Sequence, residues 1–305
     1  MVQLTGQRFL VTGGGGFIGR YVVERLLAEG ASVRVFDLPG KAQHLEGRPG
    51  VEVAGGDLRR PDDVRRAVEG AAGVFHMAVL ALNPSTQNPR ACLEINVDGS
   101  FNVFEAAQQG GVKKVVFSSA SSVYGDTLEV LDETHPLNAR TIYGASKIAG
   151  EALLRAFHGT FGLDYVILRY MNVYGPFMGF GLIDSVLKRI AAGEPPVING
   201  DGSQSFDFVY VADVADATVR AMANEVTDEA FNVGSGDERT VRDVVVTLLE
   251  LTRSPLRPEF RDVRVPMVRR VGSSERAAAR LGWRAQVPFR EGLQKVVEAQ
   301  VPVPA

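Results

Sequence analysis

The sequence predicts an α/β protein, a doubly wound parallel sheet with a smaller C-terminal lobe. The first half alternates short β-branched or apolar runs with amphipathic stretches, which is the rhythm of strands joined by crossover helices. A run of four glycines separates the first of these strands from the first helix. Glycine and proline become frequent from Gly175 to Gly202, where the rhythm loosens and loops around a second lobe are expected.

Arg8 to Thr12 reads as a buried strand, and Phe17 to about Ala28 as the helix after it. Ser32 to Phe36 is the next strand, Val51 to Val53 the third, and Arg60 to Val68 a helix. Gly73 to His76 is the fourth strand. A helix holding Asn96 to Gln108 leads to the strand Lys114 to Phe117, and a helix beginning near Thr141 leads to the strand Tyr165 to Leu168. Val211 to Ala223 reads as a helix, and Ala230 to Val233 as a strand returning to the sheet or its edge. From there to Gly292 helix and turn signals alternate, and Val301 to Ala305 reads as a frayed tail. The expected division puts residues 1–170, with about 207–234, in the sheet domain. Residues 171–206 and 235–305 then form the smaller, substrate-binding lobe.

With 305 residues, 45% of them hydrophobic, the chain can bury a sizeable core. A formal net charge of -3 gives no basic field for nucleic acid or an anionic membrane. The single cysteine, Cys92, allows no disulfide within the chain and fits a reducing, cytoplasmic setting. The first residues lack the basic start and apolar run of a signal peptide, and no uninterrupted apolar run reaches the roughly 18 residues of a membrane span. His76 is read as a satisfied strand-end histidine, with nothing at metal-ligand spacing around it, so no metal is expected. Cys92 is read as a small packed residue. The arginines from Arg253 to Arg276 are interleaved with acids, the pattern of a solvated surface.

Between the first strand and first helix the chain reads Thr12-Gly13-Gly14-Gly15-Gly16-Phe17-Ile18-Gly19. Gly13, Gly16 and Gly19 supply a tight turn, a bare backbone and close helix packing, so that a pyrophosphate can rest on the helix N-terminus. This strand–turn–helix context makes the sheet Rossmann-type. Asp37 ends the second strand. A carboxylate there accepts from both ribose hydroxyls and repels a 2′-phosphate, which favours NAD over NADP. Further along, Tyr143-Gly144-Ala145-Ser146-Lys147 opens a helix. Residues four apart share a face, and a nearby ammonium is expected to lower the phenol pKa towards neutral, making Tyr143 an acid/base.

With these motifs the chain resembles the extended short-chain dehydrogenases/reductases, in their nucleotide-sugar epimerase/dehydratase branch. Further landmarks are Gly56-Asp57-Leu58-Arg59, His76-Met77-Ala78, Asn96-Val97, Ser118 to Gly125, Leu168 to Pro176 and Gly200 to Val209. The resemblance implies a set of roles. Asp57 and Leu58 contact the adenine, while Met77, Ala78 and Val79 line the central stretch of the cofactor. Asn96 holds the network near the nicotinamide, Lys147 also contacts the nicotinamide ribose, and Ser119 joins the cofactor contacts. Tyr170 and Asn172 face the substrate, Asn172 near its diphosphate, and Arg269 or Arg270 pairs with that diphosphate. The family commonly forms homodimers through the helices around Asn96–Gln108 and Tyr143–Phe157.

The sequence departs from the family in three places. The family's serine or threonine lies four positions before the tyrosine of Val-Tyr-Gly, and here that position is Ala120. Ser121 is expected to take over, with Ser122 beside it facing the substrate. The dehydratases and decarboxylases that the chain resembles carry acids where it has Ser121 and Ser122, and serine is a poor acid for elimination. Phe206 stands where the family often has arginine, and the loop from Gly175 to Gly181 is short. The resemblance thus implies C4 epimerisation of a nucleoside-diphosphate sugar, a UDP-sugar favoured. Tyr143 and Lys147 are its catalytic residues, with Ser121, and NAD is the retained cofactor. A decarboxylase, dehydratase or keto-sugar reductase of the same family is the alternative, and a non-catalytic NAD-binding protein is a further one.

Overall fold

The computed structural model describes residues 3–263 and 268–300; the Val301–Ala305 tail lies outside them. The strands are β1 (Arg8–Thr12), β2 (Ser32–Asp37), β3 (Val51–Gly55), β4 (Gly73–His76), β5 (Lys114–Ala120), β6 (Asp164–Tyr170), β7 (Asn172–Tyr174), β8 (Val197–Asn199), β9 (Ser205–Tyr210), β10 (Glu229–Val233), β11 (Glu238–Thr240), β12 (Glu259–Arg261) and β13 (Arg269–Arg270). Seven of them form one sheet in the order β10-β6-β5-β4-β1-β2-β3. Every pairing in it is parallel. The order reverses between β1 and β4, and such a switch point opens a crevice at the strands' C-terminal ends.

The helices are α1 (Phe17–Ala28), α2 (Pro61–Val68), α3 (Leu82–Gln87), α4 (Pro89–Leu93), α5 (Gly99–Gln109), α6 (Ile142–Phe161), α7 (Gly181–Ala191), α8 (Val211–Ala223), α9 (Val241–Leu251), α10 (Glu275–Leu281) and α11 (Phe289–Gln300). On one face of the sheet Val22, Val23 and Leu26 of α1 pack in one core with Val214, Val219 and Met222 of α8. On the other face Val64 of α2, Val103 and Phe104 of α5, and Leu154 and Phe157 of α6 form a second. Each such side chain contributes roughly 1.5–3 kcal/mol when fully buried. α6 starts where the Thr141 hydroxyl accepts from the Gly144 N–H at 3.0 Å, and it stops at Gly162, which takes φ 73°.

The structure corrects two sequence boundaries. Ser205–Tyr210 pairs with β7, β11 and β13 in a small second sheet. The chain therefore returns to the large sheet's layers at Val211, not at about 207. Ala277, Leu281 and Trp283 pack into the α1–α8 core rather than into the lobe, and the Trp283 indole donates to the Asp213 carbonyl at 2.9 Å. The helix expected to hold Asn96 to Gln108 is present, opening with a widened π turn over Glu94–Asp98 that runs into α5 from Gly99. The remaining lobe core joins α7, α9 and α11 to the small sheet through Ile183, Val186, Leu248, Phe208 and Leu293.

Candidate active site

A cavity of about 680 Å³ opens at the C-terminal ends of β1, β2, β4, β5 and β6 and is closed on its other side by the lobe. Gly13, Gly16, Phe17, Ile18 and Gly19 line it. Gly13 takes φ +67°, and a Cβ there would stand 2.7 Å from the Ala78 backbone. A Cβ on Gly19 would stand 2.2 Å from the Gly13 carbonyl oxygen. Gly16 is the N-cap of α1 and has no side chain to cap it, so the first-turn N–H groups are available to an anion. Asp37 also lines the cavity. Its carboxylate accepts from the Gly15 N–H at 3.0 Å and the Leu38 N–H at 2.8 Å, which fixes it beside the turn. This cradle fits a dinucleotide: a bare backbone for the pyrophosphate and a pre-oriented carboxylate for the ribose.

Asp57, Leu58, Met77, Ala78, Val79, Ser119 and Tyr170 line the same cavity. Hydrogen bonds from Arg59 hold the Asp57 carboxyl below its ordinary range, the shortest at 2.6 Å. Thr12 Oγ1 accepts from the Met77 and Ala78 N–H groups, each at 3.2 Å, and shares a 2.7 Å hydrogen bond with His76 Nδ1. His76 Nε2 meets Ser100 Oγ at 2.9 Å, and the ring stacks on Phe117. Burial, with Lys147 nearby, pushes the His76 pKa down to about 3. His76 is a satisfied core residue that braces the turn.

Asn96 is not in the cavity lining. Its side chain accepts from the Leu80 N–H at 2.7 Å and donates to the Leu80 carbonyl at 3.1 Å and to Ser146 Oγ at 3.0 Å. It holds the 77–80 segment from behind, because the π turn carries its amide between that segment and α6. Tyr143 and Lys147 do line the cavity. The ammonium donates to the Ser118 carbonyl at 2.6 Å and lies 4.9 Å from the Phe117 ring centroid and 5.8 Å from that of Tyr143. The expected lowering of the phenol pKa is overturned. Burial, then Cys92, pushes the Tyr143 pKa up. Burial also lowers the Lys147 pKa to about 7, against the opposing influence of Cys92 and Glu151. Desolvation penalises both charged forms, the phenolate and the ammonium.

Ala120 lines the cavity, whereas Ser121 and Ser122 do not. They form the tight turn 121–123 beyond β5, and Ser122 Oγ is buried without a hydrogen-bond partner. The Ser119 hydroxyl is given to Glu151 at 2.7 Å. On the lobe side the lining is apolar, with Met178, Phe180, Leu182, Phe206 and Phe208 prominent. Asn172 and Tyr174 add polar groups there; the Tyr174 hydroxyl donates to the Phe289 carbonyl, while Asn172 Nδ2 is buried without a partner. Arg269 and Arg270 are absent from the lining. Arg269 is bound to Glu238 through two nitrogens at 2.9 and 2.8 Å. Arg270 lies beside Phe206 in the strand register, with its Nε buried and unpartnered and its guanidinium 3.6 Å from Asp126. Their two-residue strand sends neighbouring side chains to opposite faces, which the arginine doublet in the sequence does not show. The Phe180, Phe208 and Glu151 contributions were also missed, although Glu151 carries a signal: it continues the spacing of Tyr143 and Lys147 by one more turn. Among the described residues no group of three or more His, Cys, Asp or Glu side chains could hold a metal ion.

A glycine turn, a carboxylate at the end of β2 and a Tyr–Lys pair at the switch point of a parallel sheet define a dinucleotide-dependent enzyme of the Rossmann class. The chain belongs to the NAD dependent epimerase/dehydratase family, which it matches over residues 9–234. It is 36% identical to a UDP-glucose 4-epimerase of Mycolicibacterium smegmatis, over 95% of this chain and 97% of that one. It is similar to the crystal structure of a Thermotoga maritima UDP-glucose 4-epimerase with UDP-glucose, with TM-score 0.90 and 32% identity over 96% of this chain and 98% of the other. It is also similar to a Thermus thermophilus UDP-glucose 4-epimerase in complex with NAD, with TM-score 0.86 and 34% identity over the same shares.

Proposed function

We propose that this protein is an NAD-dependent 4-epimerase of a nucleoside-diphosphate sugar, with a UDP-sugar favoured. The observation that carries this reading is the placement of Tyr143 and Lys147 in the same cavity as the glycine cradle and the unpartnered Asn172 amide. Gly13, Gly16 and the first turn of α1 hold the pyrophosphate, Asp37 the adenosine ribose, and Asp57 and Leu58 the adenine. Held there, NAD would supply the acceptor for a C4 hydride and the donor that returns it to the opposite face of the sugar. Tyr143, in its phenolate form, would take the proton of the C4 hydroxyl as the hydride leaves C4 and give it back as the hydride returns. Lys147, anchored to the Ser118 carbonyl, orients the nicotinamide ribose and supplies positive charge beside the phenol. Asn172 donates to the diphosphate.

Cytoplasmic location fits the single buried cysteine. Among the described residues no helix is long and apolar enough to cross a membrane. A homodimer through α5 and α6 fits the exposure of Phe101 and Phe161 on those helices; light scattering on purified protein tests it.

Purified protein should interconvert UDP-glucose and UDP-galactose, or another epimer pair, without net NADH production. Failure with every UDP-, dTDP- and GDP-sugar pair, with NAD confirmed bound, overturns the proposal. Steady NADH consumption points instead to a reductase, and loss of carbon dioxide or water from the sugar to a decarboxylase or dehydratase.

A further inference from the structure

We infer that Glu151, clamped by Arg169, is a positioning residue for the Tyr143–Lys147 pair and for the turn that faces it. Tyr143, Lys147 and Glu151 follow one another at four-residue intervals on α6, so they lie along one face of the helix. Glu151 is 0% exposed. Its carboxylate accepts from Arg169 Nε at 3.0 Å, Arg169 Nη2 at 2.8 Å, Arg155 Nη2 at 3.0 Å and Ser119 Oγ at 2.7 Å. Arg169 Nη1 then donates to the Tyr124 hydroxyl at 2.9 Å, and that hydroxyl donates to Asn232 Oδ1 at 2.7 Å. One connected polar unit thus joins α6, the end of β5, the 121–124 turn, β6 and β10.

Three physical points separate this unit from a merely structural ion pair. Holding α6 on the sheet does not need buried charge, because Leu154 and Phe157 already do so with apolar surface. A buried ion pair costs desolvation that packed apolar groups avoid. The unit is also directed: Ser119 and Tyr124 bracket Ala120, which lines the cavity, and the turn that carries Ser121 to Val123 away from it. Glu151 further acts on charge. Burial alone would raise its carboxyl, but Arg169 and Ser119 hold it below the usual range, so it stays ionised beneath Lys147. The groups that face Lys147 are Tyr143 and Glu151 from α6, Cys92 from α4, His76 from β4, and Phe117 and the Ser118 carbonyl from β5. Of these Glu151 is the carboxylate, and it favours the ammonium against desolvation.

This inference rests on Tyr143 and Lys147 being the reactive pair. In the NAD-loaded enzyme, Glu151→Gln keeps the shape and removes the charge. The midpoint of Lys147, followed by NMR of 15N-lysine, should fall by at least half a pH unit. The alkaline limb of kcat should move down with it. An unchanged Lys147 midpoint in folded Glu151→Gln overturns the inference. A wild-type enzyme that turns over no sugar nucleotide overturns the function instead, so the two failures are distinguishable. If Glu151→Gln does not fold, Tyr124→Phe decides, since it leaves the ion pair intact. It should lower kcat about 5- to 10-fold with KM within twofold. An unchanged kcat, or a loss confined to Tm, overturns the inference.

Discussion

The cofactor half and the substrate half of the cavity are built in opposite ways. In the cofactor half the polar groups are engaged before any ligand is considered: Asp37 by two backbone N–H groups, Asp57 by Arg59, and Thr12 by His76, Met77 and Ala78. Its Gly13 and Gly19 admit no side chain. In the substrate half, strands β7 and β9 and the start of α7 supply an apolar wall, and its Asn172 has an unmatched donor. The rim is aromatic and exposed: Phe177 at φ 68° lies under Arg20, and Phe180 lies edge-on to Phe17. A half that is pre-satisfied and rigid suits a cofactor retained through turnover. A smooth half with few polar anchors suits a keto sugar that must present either face to the same hydride. Preorganisation is concentrated where motion would be harmful.

The largest test of this contrast lies where the halves meet. Tyr143→Phe should lower kcat by about 10²–10⁴-fold with NAD still bound, the range for loss of a positioned acid/base. Retained turnover would remove Tyr143 from the mechanism and favour a binding role.

The rigidity of the cofactor half should appear as acid sensitivity. His76 has a pKa of about 3 in the fold against 6.5 unperturbed, so the unfolded chain binds its proton first. Its contribution to stability is present above pH 6.5 and is lost as pH falls towards 3, by up to about 1.4 kcal/mol per unit. Denaturant titrations of wild type and His76→Gln should therefore diverge in slope across that window. Parallel slopes would show that His76 does not brace the site.

Asp37→Ala should weaken NAD binding by about 10- to 100-fold, through lost hydrogen bonds to a charged acceptor, with little change in the sugar KM. Asn172→Ala should do the reverse: KM for the sugar nucleotide rises about 5- to 10-fold, and NAD affinity holds. If both variants affected both ligands equally, the two halves would not be separable. Smallest of all, Ser121→Ala should change kcat by about threefold or less, since its turn lies off the lining. A loss of about a hundredfold would restore the serine to the reacting hydroxyl.

Much of this architecture was legible because it is local. The helix Phe17–Ala28 and the helix Val211–Ala223 are set by periodicity, and α6 by the hydroxyl of Thr141. The glycine cradle and Asp37 lie within one strand–turn–helix–strand stretch, so spacing alone brings them together. Tyr143 and Lys147 share a face for the same reason. What depended on distant segments was misread. Arg269 and Arg270 look alike in sequence, but the pairing of β13 with β9 sends one to Glu238 and leaves the other beside Phe206. Ser121 follows Ala120 by one residue, yet the turn after β5 carries it off the cavity wall. The phenol pKa was misjudged because spacing reports the neighbouring cation and not the burial that opposes it. The sequence by itself determined the glycine turn with Asp37 and the facing Tyr143–Lys147 pair, whose geometry is fixed by short-range backbone rules. The tertiary structure alone decided the substrate wall, the proton affinities and the Glu151–Arg169 support, because desolvation and contact between remote segments exist only once the chain has packed.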